Sequence, residues 1–357
     1  MKSLGKSTFA WQIPTILGGD VDKIAAILKA ANFQSVIIHS ETLAAWKLNK
    51  RPEFVKALKS VGITPVGGAA VYGVDPASEG RQAAALCKEF GLSAFVFDAE
   101  STFDASPNSD SGAVKLIKAF RADAPGVLVG WCWWAMYQSK PDKKTGRIVN
   151  WHPKSVLWSA MTPGYGDADF GMMMAYWSWG DSPQAAIAYL KESWRQWREV
   201  TDKPLVPAGR AYIGDGGTAT PKAITAYEDA ARLLGAVGVC WWSLQHALDA
   251  VHLPGVWDAL AKLTPFEDVI EPAPEPIPQP NPEPDPVGLY MMATRFVNIR
   301  AAPTTASKDL GDVKPGEQVG PIIGIAGGRS GAWAHLADGR YVCAADPFGN
   351  VYLVETK

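Results

Sequence analysis

The chain has 357 residues, enough for one large domain and a small one, and its 47% hydrophobic and 20% charged residues are ordinary for a globular protein. A formal net charge of −2 gives no basic field, so nucleic acid is not expected as a partner. No apolar run reaches the about 18 residues of a membrane span, so no membrane contact is predicted. The 15 tryptophans are an unusual surplus, and such flat rings serve both protein cores and sugar-stacking clefts.

The N-terminal region lacks the pattern of a secretion signal. Lys2 and Lys6 begin it, but Gln12, Pro14 and Gly18 interrupt the apolar core that a signal peptide needs. We therefore expect a product that is made in the cytoplasm and acts elsewhere only after something else releases it.

Apolar, strand-like runs alternate regularly with helical patterns over the first three quarters of the chain. Helical patterns occupy residues 21–31, 77–90, 112–122, 183–200 and 221–234. Eight repeats of this kind predict a closed (β/α)8 TIM barrel over residues 1–268, and a doubly wound open sheet is the alternative. The predicted strands are 9–13, 34–38, 63–71, 93–98, 126–131, 171–177, 204–209 and 237–243.

The cysteines and histidines have neither metal-ligand spacing nor the density of a disulfide framework. We expect the cysteines to be small buried residues and the histidines to be hydrogen-bonded residues of loops or of the rim of a site. No metal ion or other cofactor is therefore predicted from Cys87, Cys132, Cys240, Cys343, His39, His152 and His246.

Proline occupies every second position from residue 272 to residue 286, which forbids helix and strand alike. We predict a stiff polyproline II spacer over residues 269–287, whose proline-rich part, 271–286, is about 45–50 Å long when extended. This spacer divides the chain into the barrel and a small domain.

Short strands punctuated by glycine and proline turns predict an all-β domain over residues 288–357. Its predicted strands are 295–299, 317–325, 332–336, 340–344 and 351–354. The segments 297–303 (VNIRAAP), 314–319 (KPGEQV) and 339–342 (GRYV) resemble the bacterial SH3 family. The resemblance implies an SH3-like barrel that binds bacterial cell wall. The same residues also suit plain fold determinants, with Asn298 and Arg300 shaping a turn.

Two carboxylates, Asp98 and Glu100, follow the apolar run of the fourth predicted strand. Side chains two residues apart on a strand share a face, with Cα atoms about 6.5 Å apart. Catalytic groups collect at the carboxyl ends of barrel strands, so the pair predicts an active site there, and capping of the next helix is the plainer alternative.

Aromatic side chains gather behind several other predicted strand ends. Apolar sugar faces suit aromatic floors flanked by carboxylates, so we expect a glycan site. The predicted catalytic residues are Glu100, Asp98 and Tyr176. The predicted substrate-binding residues are Trp131, Trp133, Trp177, Tyr212, Asp215, Trp241 and Gln245.

The Asp-x-Glu triplet on strand 4, the methionine-rich strand 6 that ends in Tyr176, and the tryptophan on strand 8 resemble the chitinase-like family 18 glycoside hydrolases. The triplet and the aromatic strand ends also resemble the family 25 lysozymes, which carry wall-binding domains such as bacterial SH3. The chain departs from both families. Strand 1 offers Trp11 and Gln12 where family 25 has an acidic residue, and the longer acidic motif of family 18 is reduced to Asp98 and Glu100.

These resemblances imply a modular peptidoglycan hydrolase, like a phage-type endolysin, that cleaves a β-linked N-acetylated glycan. We expect Glu100, surrounded by aromatic rings, to hold a proton and act as general acid, with Asp98 charged beside it. Bacterial cell-wall glycan is the expected partner, and a monomer is expected. The alternatives are a chitinase-like hydrolase of another N-acetylglycan and a non-catalytic glycan-binding or virion structural protein.

Overall fold

The structure is a computed structural model that describes residues 4–107, 109–140, 142, 144–145, 147–267, 289–304, 307–328, 331–336, 338–345 and 352–355. The chain divides into two compact units, Met1–Glu271 and Pro272–Lys357. The predicted spacer over residues 269–287 lies outside the described residues.

The first unit contains, within its described residues, a closed barrel of eight parallel strands, which confirms the predicted TIM barrel. Around the barrel the strand order is β1-β8-β7-β6-β5-β4-β3-β2. The strands are β1 Gly5–Ala10, β2 Ser35–Ser40, β3 Thr64–Val71, β4 Ala94–Ala99, β5 Leu128–Trp134, β6 Phe170–Met174, β7 Ala208–Arg210 and β8 Gly238–Trp242.

Helices connect the strands and surround the barrel. Four of them begin at a residue whose side chain accepts a backbone N–H three residues on, and these caps are Asp20, Asp75, Ser182 and Thr220. The helices are α1 Val21–Ala30, α2 Arg51–Ser60, α3 Pro76–Phe90, α4 Ser101–Asp104, α5 Ser109–Asp123, α6 Lys154–Met161, α7 Pro183–Arg198, α8 Pro221–Leu233, α9 Leu244–Ala247 and α10 Val256–Lys262, with a 3-10 segment at Ile13–Gly19. No helix of the described residues is both long enough and apolar enough to cross a membrane.

Strand β1 begins four residues before its predicted start, because its first residues are polar yet buried. The Nζ atom of Lys6 donates to the carbonyls of Ala31 at 2.6 Å and Leu263 at 2.9 Å, and burial lowers the pKa of Lys6 to about 8. Ser7 and Thr8 donate to backbone carbonyls of β8. Hydrophobic patterning cannot detect a strand whose polar side chains find their partners on other segments.

Side chains of the barrel strands alternate between two separate apolar clusters. Outward residues pack against the helices, and inward residues fill the barrel. On β5, Trp131 and Trp133 belong to the outer cluster, whereas Cys132 belongs to the inner one. The inner cluster is built of modest side chains, Leu4, Phe9, Ile37, Val66, Ala94, Val96, Cys132, Phe170, Met172, Met174, Val206, Ala208 and Cys240.

The second unit contains, within its described residues, a seven-stranded antiparallel sheet in the order β11-β10-β14-β13-β12-β9-β15. Asn298 donates to Asp309 and Asp312, and Arg300 donates to the carbonyl of Ser307 at 3.0 Å, so both side chains stabilise the β10–β11 hairpin. The strands are β9 Leu289–Ala293, β10 Val297–Arg300, β11 Asp309–Val313, β12 Gln318–Gly328, β13 Gly331–Leu336, β14 Tyr341–Ala345 and β15 Leu353–Glu355. The structure thus shows a small β domain, and the SH3-like assignment stays a prediction.

Candidate active site

The carboxyl end of β4 presents both predicted catalytic carboxylates. Asp98 pairs with Cys132 of β5 in the parallel register and is 6% exposed, whereas Glu100 follows the strand and is exposed to solvent. Glu100 occupies the N-cap position of α4, but its side chain makes no capping hydrogen bond. The pair therefore does not serve to cap the helix.

Asp98 is held by a histidine from a strand two positions away. The Nε2 atom of His39 lies 3.0 Å from Oδ2 of Asp98, and both residues are buried. Strand β3 separates β2 from β4, so this contact joins strands that are not neighbours. A hydrogen bond is expected for His39 from the sequence, but its place beside Asp98 comes from the structure.

An aromatic wall adjoins the His39–Asp98 pair. The Trp242 ring contacts His39 edge-on at 5.6 Å and stacks near Trp11 at 6.1 Å. Tyr176 completes this wall, with ring centroids 6.5 Å from Trp242 and 5.7 Å from Tyr212. The Trp242–Ser243 peptide bond is cis. Aromatic faces and carboxylates thus meet at one end of the barrel, an arrangement that suits a sugar.

A buried arginine positions the loop that carries the predicted residues Tyr212 and Asp215. The Arg210 guanidinium is fully buried, and it donates to the carbonyls of Gly214, Gly217 and, at 3.4 Å, Asp215. The Tyr212 hydroxyl donates to the Asp215 carboxylate. This short β-ribbon, Ile213–Gly214 and Gly217–Thr218, is therefore fixed against the end of β7.

The surroundings of Glu100 raise the pKa of its carboxyl, so that a large fraction is protonated near neutral pH. Partial loss of solvation, followed by the negative charges of Asp98 and Asp215, raises the pKa of Glu100 to about 7. Its side chain retains access to water, so it can exchange protons with solvent. These are the properties of a general acid that must be regenerated at each turnover.

Four predicted substrate-binding tryptophans lie on the outward side of the strand ends. They are 0% exposed and pack between the barrel and its helices. The inward neighbours Trp134 and Trp242, one residue further on, pack against the inner cluster. The four outward residues are Trp131, Trp133, Trp177 and Trp241.

The remaining predicted residues lie at the same end of the barrel. Tyr176 packs against the inner cluster, and burial raises its pKa well above the usual range, so the hydroxyl remains a proton donor. Gln245 lies on α9 directly after β8, and both amide atoms are buried without a hydrogen-bond partner among the described residues.

The sequence did not identify His39, Trp11 and Trp242 as site residues. The alternation of side chains along a strand is nevertheless enough to place His39 and Trp242 on the inward face. Ile37 and Cys240 face inward, so His39 and Trp242 must do so as well. Within the described part of the chain, no three His, Cys, Asp or Glu side chains are placed to share a metal ion.

The barrel is similar to solved structures. A GH18 chitinase from Pseudoalteromonas aurantia matches with a TM-score of 0.51 at 11% identity, covering 71% of this chain and 99% of that one. A chitinase-like agglutinin from Robinia pseudoacacia gives 0.51 at 12% identity, with 72% and 98% covered. A class V chitinase from Nicotiana tobaccum gives 0.50 at 10%, with 72% and 97% covered. At these identities the likeness shows the fold.

No protein-family model and no curated protein matches the sequence.

We predict that Glu100 titrates near pH 7 and that Asp215→Asn lowers this midpoint, because one of the two neighbouring negative charges is removed. Carboxyl 13C NMR across a pH series measures both proteins directly. Asp229→Asn, which neutralises an exposed carboxylate of α8, is the matched control and should leave the midpoint unchanged. A Glu100 midpoint near 4.5 in the wild-type protein would contradict this account of the site.

Proposed function

We propose that the barrel is a glycoside hydrolase that cleaves a β-linked N-acetylated glycan with Glu100 as the general acid. One observation carries the proposal: the Glu100 carboxyl follows the buried Asp98 at the carboxyl end of β4, where loss of solvation and nearby negative charge raise the pKa of Glu100 to about 7. The aromatic wall of Trp11, Trp242 and Tyr176 supports a sugar as the ligand. The fold shared with chitinases is compatible with this activity.

The placement of the carboxylates favours a substrate-assisted reaction. An ordinary retaining glycosidase needs an acid and a nucleophilic carboxylate that flank the bond, about 5–5.5 Å apart. Asp98 and Glu100 come from one strand and one face, so they cannot flank a sugar in this way. The Asp215 carboxylate already accepts the Tyr212 hydroxyl. The nucleophile is then the carbonyl oxygen of the substrate's own 2-acetamido group.

The reaction has two steps. First, Glu100 gives its proton to the glycosidic oxygen, the C1–O bond to the leaving sugar breaks, and the acetamido oxygen bonds to C1. Second, a water molecule attacks C1 and displaces the acetamido oxygen, while its proton returns to the Glu100 carboxylate. Two inversions at C1 give net retention of configuration. Asp98 accepts the acetamido N–H, and the Tyr176 hydroxyl donates to the acetamido carbonyl.

Peptidoglycan is the proposed polymer, and the second unit is the proposed wall anchor. The unit has its own apolar core of residues such as Val297, Val319, Ala334 and Val342, so it can fold and bind separately. Tethering to an insoluble polymer raises the effective concentration of the enzyme at its substrate. Release of the protein from its producing cell at lysis, as for a phage endolysin, fits this layout.

Two other functions are alternatives to peptidoglycan hydrolysis. A chitinase-like enzyme acting on another N-acetylglycan uses the same chemistry. A non-catalytic glycan-binding protein is favoured by one observation: the inward position before Asp98 is the apolar Val96, so β4 carries a reduced acidic set. One solved structure of this fold is named an agglutinin.

We predict that Glu100→Gln retains the fold and lowers the hydrolysis of purified peptidoglycan about 10²–10⁴-fold, because the acid is lost. Clearing of turbidity measures the rate of hydrolysis, and mass analysis of the fragments identifies the bond that is cleaved. Glu53→Gln, an exposed change on α2, is the matched control and should retain wild-type rates. A folded Glu100→Gln protein with wild-type turnover would remove Glu100 from the mechanism, and glycan binding without any product would favour the non-catalytic alternative.

We also predict that the chain can be divided within residues 272–286 into two folded pieces, of which the second sediments with bacterial cell walls. Co-sedimentation with walls of several compositions measures this, and the barrel piece serves as the comparison, because it should sediment less. If the second piece stays in the supernatant with every wall type, the proposed anchor has no support.

A further inference from the structure

We infer that His39 is a positioning residue for the proposed hydrolysis, whose Nε2–H holds one oxygen of Asp98 so that the other is presented, ionised, to the substrate's acetamido N–H. The inference rests on the proposed function, because it assigns Asp98 the role of orienting that group. It concerns a residue outside the reacting set, since His39 acts through Asp98.

The contact between His39 and Asp98 lies within hydrogen-bonding distance and is buried. His39 Nε2 and Asp98 Oδ2 are 3.0 Å apart, and the two residues are 5% and 6% exposed. A hydrogen bond to an ionised group strengthens when water is excluded, and the loss of one partner leaves the other unsatisfied. The inward residue that precedes Asp98 on β4 is Val96, so the partner of Asp98 comes from β2 instead.

The His39 ring has little freedom to leave this position. Phe9 and Trp242 contact it edge-on, with ring centroids at 5.8 and 5.6 Å. Its backbone is also held, because Nε of the buried Arg51 donates to the His39 carbonyl at 2.8 Å. A side chain that is held by two aromatic contacts and by its backbone is what a positioning role requires.

The second ring nitrogen indicates which tautomer is present. Nδ1 of His39 is buried and has no hydrogen-bond partner in the part of the chain that the structure describes. A proton on Nδ1 would be a buried donor with nothing to accept it, which is costly. The favoured form therefore carries its proton on Nε2, where Asp98 accepts it.

Asp98 then has one oxygen engaged and one available. Its Oδ1 is buried and bonded to no described residue. A carboxylate oxygen with an unengaged lone pair, at the end of β4, is suited to accept an N–H from a bound acetamido group. His39 fixes the direction in which that oxygen points.

Several side chains surround the Asp98 carboxylate. Cys132 of the neighbouring strand β5 forms a side-chain hydrogen bond with Asp98, and Glu100, Tyr72 and Tyr176 interact with it electrostatically. Burial raises the pKa of the Cys132 thiol and of both tyrosines, so these groups stay neutral. A neutral thiol is a weak donor, so His39 is the stronger partner of Asp98.

The test compares kcat and KM of the full chain for wild type, His39→Leu and His39→Gln. Without the donor, the Asp98 carboxylate loses the hydrogen bond that fixes its direction, so kcat should fall about 10-fold for the Leu variant while KM changes little. Gln retains an N–H near the Nε2 position, so His39→Gln should return most of the lost kcat. His252→Gln alters an exposed His–Asp pair, 2.7 Å from Asp249, and should change nothing.

Equal kcat for wild type and the Leu variant, or equal losses for Leu and Gln, would overturn the inference. If His39→Leu does not fold, 15N NMR of the wild-type imidazole decides, since the inference requires a proton on Nε2 and a bare Nδ1. Failure of the proposed function looks different, because the wild type is then inactive on every glycan or Glu100→Gln loses no activity. The 15N NMR measurement still tests the His39 contact in that case.

Discussion

The alternation of side chains along the parallel strands of a closed barrel decides which residues can meet a substrate. Inward side chains of medium size fill the barrel interior. A group at the carboxyl end of a strand therefore enters the site only if its own side chain also points inward. Asp98, His39 and Trp242 satisfy that condition, whereas Trp131 and Trp241, in the opposite phase, are buried against helices. Two aromatic residues that are neighbours on a strand therefore differ in place, one ring facing the site and the other packing in the core.

The position of Asp98 and Glu100 at the end of one strand also determines the electrostatics of the two carboxyl groups. Loss of solvation at the end of β4, and then the negative charge of the neighbouring Asp98, disfavours the ionised form of Glu100, so the pKa of Glu100 rises to about 7. The deeper carboxylate has its own donor in His39, and the more accessible one carries the exchangeable proton. Geometry thus gives two identical chemical groups different tasks. It also leaves the substrate to provide the nucleophile in the proposed reaction.

The sequence was sufficient for the barrel, because repeated apolar runs and capped helices such as α3 and α8 carry local signals. It failed at β1, where the polar Lys6 is satisfied by distant carbonyls. Asp98 and Glu100 were found from position alone. The sequence did not reveal which aromatic residues point inward. Trp131, Trp133 and Trp134 form one aromatic run, and only the strand register identifies the inward residues in it. The His39–Asp98 contact joins strands that are not neighbours, so no local pattern predicts it.

In the proposed reaction, the acetamido group of the substrate replaces a protein nucleophile. The measurement that probes this step is the hydrolysis rate of a series of substrates whose N-acetyl group carries zero, one, two or three fluorines. Fluorine withdraws electrons from the carbonyl oxygen, so we expect the rate to fall steeply with each fluorine while the product retains its configuration. A rate that is flat across the series, or a product of inverted configuration, would rule out nucleophilic participation by the acetamido group.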